Sequence, residues 1–300
     1  DDYINSLNNE KIQITKFDEI DRSDHYVHEW SPAKKEKIAV IYAVGGIISG
    51  KSNPGPAGSS LMGDETIVKA IKNAREDESI DAIILRIDSG GGSALASDQM
   101  WKEISNTTEQ DIPFIASMSD IAASGGYYIA CAADSILANP TTLTGSIGVF
   151  GMVPNLKRFY KNKLGITFDT VNTNKYAERG VNRALTTFER NKIQKTIEEI
   201  YSTFITHVSD GRNMSTEAVD EIGQGRIWTG YDAKSIGLID TYGGIEKAIE
   251  IAVFLAKVED YRIISLPKQK DPFTELALQF SSESNIADFV LTKYGFKTDL

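Results

Sequence analysis

"AIILRIDSGGGSALASDQMWKEISNT", residues 82–107, carries three signals in one run. Its unbroken apolar start is what a central parallel strand shows, because both faces of such a strand are covered. Glycines 90–92 break the run, and apolar residues at helical spacing follow. The same order recurs on both sides. "IPFIASMSD" (112–120) reads as another buried strand, and "DIAASGGYYIACAADSI" (120–136) passes through Ser124 into an apolar run that reads as a helix. Upstream, "KIAVIYAVGGIIS" (37–49) reads as a strand, a Gly/Pro/Ser loop covers 51–63, and a helix starts at Asp64 with Ile67, Val68, Ile71 and Ala74 on one face. Strand, glycine turn and helix in alternation predict an α/β fold with a mostly parallel sheet.

Farther along, "TTLTGSIGVFGMV" (141–153) reads as a short extended segment and "NLKRFYKNKLG" (155–165) as a short basic helix. "ITFDTVNTNKY" reads as a strand leading into a loop. The longest helix spans 187–209, with Ile193, Ile197, Ile200, Tyr201, Phe204 and Val208 along one face. A second amphipathic helix covers 243–258. The organisation is therefore a polar arm or linker at 1–35, a compact domain at 36–258 and a tail at 259–300, which holds a strand-like "YRIISLP" and two weaker helices.

Composition narrows the partners. A formal net charge of −10 argues against nucleic acid, because phosphate binding needs clustered Lys and Arg. No stretch reaches the ~18 consecutive apolar residues of a membrane span. The chain opens DDYINSLNNEK, without Met or a secretory signal, which is the look of a segment cut from something longer, with any anchor or targeting element ahead of it. The single cysteine, Cys131, excludes an internal disulfide and reads as a small core residue.

Two turns are candidates for chemistry. Ser124 stands between alanines and glycines where a strand becomes a helix. It is either a helix N-cap or a nucleophile held out of the sheet, facing the free N–H groups and positive end of the helix. "DSGGGS" (88–93) is either a plain tight turn or a nest of backbone amides for a ligand oxygen. Neighbouring parallel strands bring their C-terminal loops together, so the two turns are expected side by side. A nucleophilic serine needs a base. The histidines are His25 and His28 in the polar arm and His207 on the long helix, where packing is the simpler role. A lysine made neutral by burial can replace histidine. Lys175 is the lysine that follows a strand into a loop, although its neighbours Asn172, Asn174, Glu178 and Arg179 are polar.

"AIILRIDSGGGSALAS", "SDIAASGGYYIACAADSILANPTTLTGSIGV" and "IWTGYDAKSIGLIDTYGGIEKAI" together resemble the signal peptide peptidase A family, also called protease IV, of S49-type serine peptidases. The resemblance covers roughly residues 36–258. It implies a spiral of βα units like Clp protease and the crotonases, and a Ser/Lys dyad that degrades apolar peptides such as cleaved signal peptides. It assigns Ser124 as nucleophile, the amides of Gly92 and Gly125 as the oxyanion hole, and Lys175 as the base by position. Neither cofactor nor metal is expected. The usual Ser-Pro-Gly-Gly of the family is Ser89-Gly90-Gly91-Gly92 here, a turn that loses a proline and gains flexibility.

The family has a short form with one unit and a long form with two. The polar arm resembles the connection inside the long form, which makes this chain its second unit. The base lysine then comes from the missing first unit, and Lys175 is vestigial. In the short form the serine pairs with a lysine of an adjacent protomer. A homo-oligomer is implied either way, a tetramer for the long form and a larger ring for the short one. The family also implies the bacterial cell envelope, anchored in the inner membrane with the catalytic part outside the cytoplasm. Two other readings compete: a crotonase-type acyl-CoA enzyme, which gives no reason for Ser124, and an assembly half that is inert without its upstream unit.

Overall fold

The computed structural model describes residues 36–56, 59–178 and 180–267. The polar arm, with His25 and His28, and the weaker tail helices lie outside the described residues. β1 (Glu36–Val44) ends at Gly45, whose amide is tied to the Asp88 carbonyl at 2.9 Å. β2 (Gly46–Ile48) then leaves for a small sheet with β3 (Asn53–Pro54) and β4 (Ser60–Gly63). The single strand expected over 37–49 is thus two, because Gly45 turns the chain from one sheet into another. α1 (Asp64–Glu76) returns it to β5 (Ile80–Ser89), and α2 (Ala94–Thr108) leads to β6 (Phe114–Ala123).

After β6 the apolar run from Gly125 is shorter as a helix than its composition suggests. α3 is only Gly125–Ala130, and β7 (Ser135–Ala138) and β8 (Leu143–Gly145) follow closely. A helical turn at Lys157–Phe159 widens into a π-turn at Tyr160–Leu164. Then come α4 (Thr187–Arg212), α5 (Thr216–Ile222), β9 (Ile227–Thr229), α6 (Gly230–Ser235), β10 (Thr241–Tyr242), α7 (Ile245–Ala256) and β11 (Tyr261–Leu266).

The main sheet runs β10-β7-β6-β5-β1-β11 with every neighbour parallel, the α/β arrangement expected. The middle of its central strands is apolar because both faces are covered there. Ile38, Val40, Ala82, Ile84, Ile115 and Leu137 pack with Ala248 and Ala252 of α7 on one face. Ile41, Ile83, Leu85, Phe114 and Met118 join the larger cluster with Ile67, Ile71, Met100 and Ile104 of α1 and α2 on the other. Full burial of each of the larger of these side chains, Val, Leu, Ile, Phe and Met, contributes on the order of 1.5–3 kcal/mol.

Of two further strand expectations, one is met and one is not. The strand-like "YRIISLP" is β11, hydrogen-bonded in parallel to β1, so the sheet continues past residue 258. "ITFDTVNTNKY" forms no strand among the described residues: it is exposed and lies off the sheet, where no neighbour satisfies its backbone as a ladder would.

Candidate active site

β6 changes partners along its length. Ile115–Ser117 pair with β7, and Ile121–Ala123 pair with β8. Its last residue, Ala123, delivers the chain to Ser124, and α3 begins at the next residue. Ser124 has φ 53° and ψ −119°. Its N–H donates to the Gly145 carbonyl at the end of β8 (2.9 Å), and its carbonyl accepts from the Tyr128 amide (2.9 Å). A capping serine has an extended backbone, and its oxygen takes an amide of the first turn. Ser124 does neither. The cap reading fails: the residue stands at the cap position with its hydroxyl unspent. A non-glycine residue held in such a sparsely populated backbone conformation costs on the order of 1–3 kcal/mol, and such residues cluster at functional sites.

The glycine turn after β5 lies against it, as expected. Gly91 has φ +96°, and a Cβ there would sit 2.6 Å from the Gly125 nitrogen and 2.9 Å from the Ser124 Cβ. Only glycine lets the two turns touch. Ser89 stiffens the proline-free turn, donating its hydroxyl to the Gly45 carbonyl (2.6 Å) and accepting from the Gly91 amide (3.1 Å). Gly92 bridges to Ile47 of β2. That bridge uses the Gly91 carbonyl and the Ser93 amide (3.0 and 2.9 Å), so the Gly92 N–H faces the other way, away from Ile47. At Gly125 the first turn of α3 leaves its amides without acceptors inside the helix.

Ser124, Gly91 and Gly92 open into a cleft of about 790 Å³. Its far wall is Ser146, Gly148, Val149 and Phe150 from the loop after β8, with Ile197, Glu198 and Tyr201 of α4. An adjoining hollow of about 370 Å³ shares Ser124 and Gly92, and is lined by Gly125, Tyr128, Ile200 and Phe204. Burial first, then the neighbouring Asp98 carboxylate, push the Tyr128 phenol above its ordinary range, so it stays a hydrogen-bond donor.

Lys175 is not among the residues lining this cleft. It is exposed, with its Nζ 5.5 Å from the Tyr176 ring centroid, and no lysine or histidine lines the cleft among the described residues. Glu178 is engaged with Arg183. His207 packs, as expected, stacking on Trp101 with ring centroids 3.4 Å apart. Cys131 is fully buried.

The sequence reading missed how α4 divides its apolar face. Phe204 and Val208 enter the core, while Ile197 and Tyr201 form the cleft wall. Periodicity of 3.6 identifies the face but not what covers it. The two hydrogen bonds by which Ser89 ties down its turn were also not legible in the sequence.

The model of peptidase family S49 matches residues 106–259. A chloroplastic serine protease SPPA of Arabidopsis thaliana is 38% identical over 285 residues, covering 92% of this chain and 42% of the relative. Protease 4 of Salmonella typhi is 38% identical over 75% of this chain and 36% of its own length. A Synechocystis sp. relative, a protease by name, is 34% identical over 79% of this chain and 80% of its own. The chain therefore spans about two fifths of the longer relatives it matches.

Proposed function

This chain belongs to peptidase family S49, and from that premise we propose that it is a serine peptidase with Ser124 as nucleophile. The observation that carries the reading is the conformation of Ser124, a non-capping serine at positive φ that lines a cleft beside the glycine turn. In the proposed reaction the Ser124 Oγ attacks the scissile carbonyl while a neutral lysine takes its proton. The carbonyl oxygen becomes an oxyanion, received by the N–H groups of Gly92 and Gly125. Collapse of this intermediate expels the amine, which leaves with a proton from the lysine. Water then releases the acyl chain by the same steps.

The base is supplied from outside this cleft, either by an upstream unit or by Lys175 of an adjacent subunit in a homo-oligomer. The absence of a lysine from the described cleft lining supports that choice. The substrates are apolar peptides such as cleaved signal peptides, which suits walls of Val149, Phe150, Ile197 and Phe204. The protein acts at the cell envelope, outside the cytoplasm, held by a membrane anchor.

Ser124→Ala should abolish peptide cleavage and fluorophosphonate labelling and leave the melting temperature near that of the parent. Cleavage at the parental rate by Ser124→Ala would refute the assignment. Affinity for coenzyme A without labelling would favour acyl-CoA chemistry instead.

A further inference from the structure

The two proposed oxyanion donors stand at the starts of two helices. Gly92 immediately precedes Ser93, the N-cap of α2, and Gly125 is the first residue of α3. The distance between the two amides therefore depends on how α2 and α3 pack as well as on the contact between the two turns. α3 has six residues, well below the length at which a helix holds itself in water, so its direction comes from side-chain contacts. Tyr127 fixes one side, donating to the Leu238 carbonyl at 2.8 Å.

The other side faces α2. At the first turn a Cβ on Gly125 would sit 2.6 Å from the Ser97 Oγ, so the helices are already in contact there. One turn on, the Tyr128 hydroxyl donates to Oδ1 of Asp98 at 2.7 Å. The same oxygen lies 3.3 Å from Nε2 of His207, whose ring stacks on Trp101 of α2 and meets Tyr128 edge-on at 5.4 Å. One carboxylate oxygen thus gathers α3, α2 and α4.

We propose that the Tyr128–Asp98 hydrogen bond, backed by His207, is a brace that sets the gap between the Gly92 and Gly125 amides, making Asp98 and Tyr128 positioning residues of the oxyanion hole. This rests on the serine peptidase reading of Ser124, Gly92 and Gly125. Asp98 is absent from the cleft lining, and its side chain is 46% exposed. It can therefore be truncated without opening a core cavity or removing a substrate contact.

The test is made in the full-length natural chain. Misplacing reacting groups by about 1 Å costs up to roughly a hundredfold in rate. Asp98→Ala and Tyr128→Phe should each lower kcat about tenfold to a hundredfold. For Asp98→Ala, KM should change little. Asp98→Asn keeps an acceptor oxygen and should restore most of kcat. The double variant Asp98→Ala/Tyr128→Phe should be no worse than the poorer single one, because both remove one bond. Affinity for a peptide aldehyde, whose adduct with serine carries an oxyanion, should fall in step with kcat. Parental kcat in both single variants sinks the brace, and so does a loss that multiplies in the double variant or simply tracks melting temperature. Ser124→Ala in the same assay separates the two levels. If it is dead while Asp98→Ala is fully active, only the brace fails. If it is active, the peptidase reading fails and takes the brace with it.

Discussion

Gly92 shows how much one missing methyl group decides. A Cβ there would lie 2.2 Å from the Ile47 carbonyl oxygen, which is backbone and cannot rotate aside. Gly92→Ala must therefore shift β2 or the glycine turn, and with it the free Gly92 N–H. Loss of one such donor typically lowers kcat about a hundredfold to a thousandfold. The expected result is a fall in kcat far larger than the fall in melting temperature warrants; losses in proportion would mark Gly92 as a structural glycine. Cys131 makes the opposite case, a residue with reactive chemistry that packing silences. Burial above all pushes its thiol up to about 12, and its Sγ lies 3.1 Å from the Tyr128 carbonyl. A disulfide reagent at neutral pH should leave the folded protein unlabelled and react with one thiol after unfolding. Labelling of the native protein at the rate of a free thiol would contradict this packing.

Elements differ in what sustains them, and α4 holds both regimes. Its second half enters the core through Phe204, Ile205 and Val208. Its first half has no buried residue and relies on a capping box, in which Thr186 Oγ1 accepts from the Glu189 amide (3.2 Å) and Glu189 accepts from the Thr186 amide (2.8 Å). Thr186→Ala should cost about 0.5–2 kcal/mol of local helix stability, seen as faster amide exchange over 187–191 with little change in global melting. Hydrogen bonds from Arg183, then from Thr186, hold the Glu189 carboxyl down at about 2, against an ordinary 4.5. A depressed carboxyl stabilises the folded form above its unfolded value and loses that effect as it protonates. The start of α4 should therefore fray as pH falls from about 4.5 towards 2, which NMR shifts of Phe188–Asn191 would follow. This division also marks what the sequence could reveal. β5 and β6 were legible because two-sided burial writes an unbroken apolar run. The pairing of Ser124 with the glycine turn was legible because parallel strands bring their loops together. The cleft face of α4 was not, since Ile197 in a wall and Val208 in a core obey one spacing. The brace was hidden as well: Asp98 and His207 are far apart in the chain, and only packing joins them.

At the scale of the molecule, an apolar arm stands uncovered among the described residues. Phe150, Met152 and Val171 are 86%, 82% and 100% exposed, and exposed apolar side chains of this kind are candidates for an interaction surface. Residues 152–168 hold four basic side chains and no acidic one, within a chain of net charge −10. Such an arm complements the acidic body of a second copy, which supports the proposed homo-oligomer. Val171→Asp, at a fully exposed position, should leave the monomer fold intact and shift sedimentation towards smaller species; unchanged assembly would remove the arm from the interface. Assembly bears directly on the base. A catalytic lysine must be desolvated to be neutral at working pH, and Lys175 lies exposed, away from the cleft. In the full-length protein Lys175→Ala is therefore expected to keep its activity, with the base coming from upstream. The contrary outcome has its own signature. If Lys175→Ala is inactive and mixing it with inactive Ser124→Ala restores cleavage, each active site combines one chain's serine with another's lysine. The base is then Lys175 of the neighbouring subunit, and the exposed arm is what carries it there.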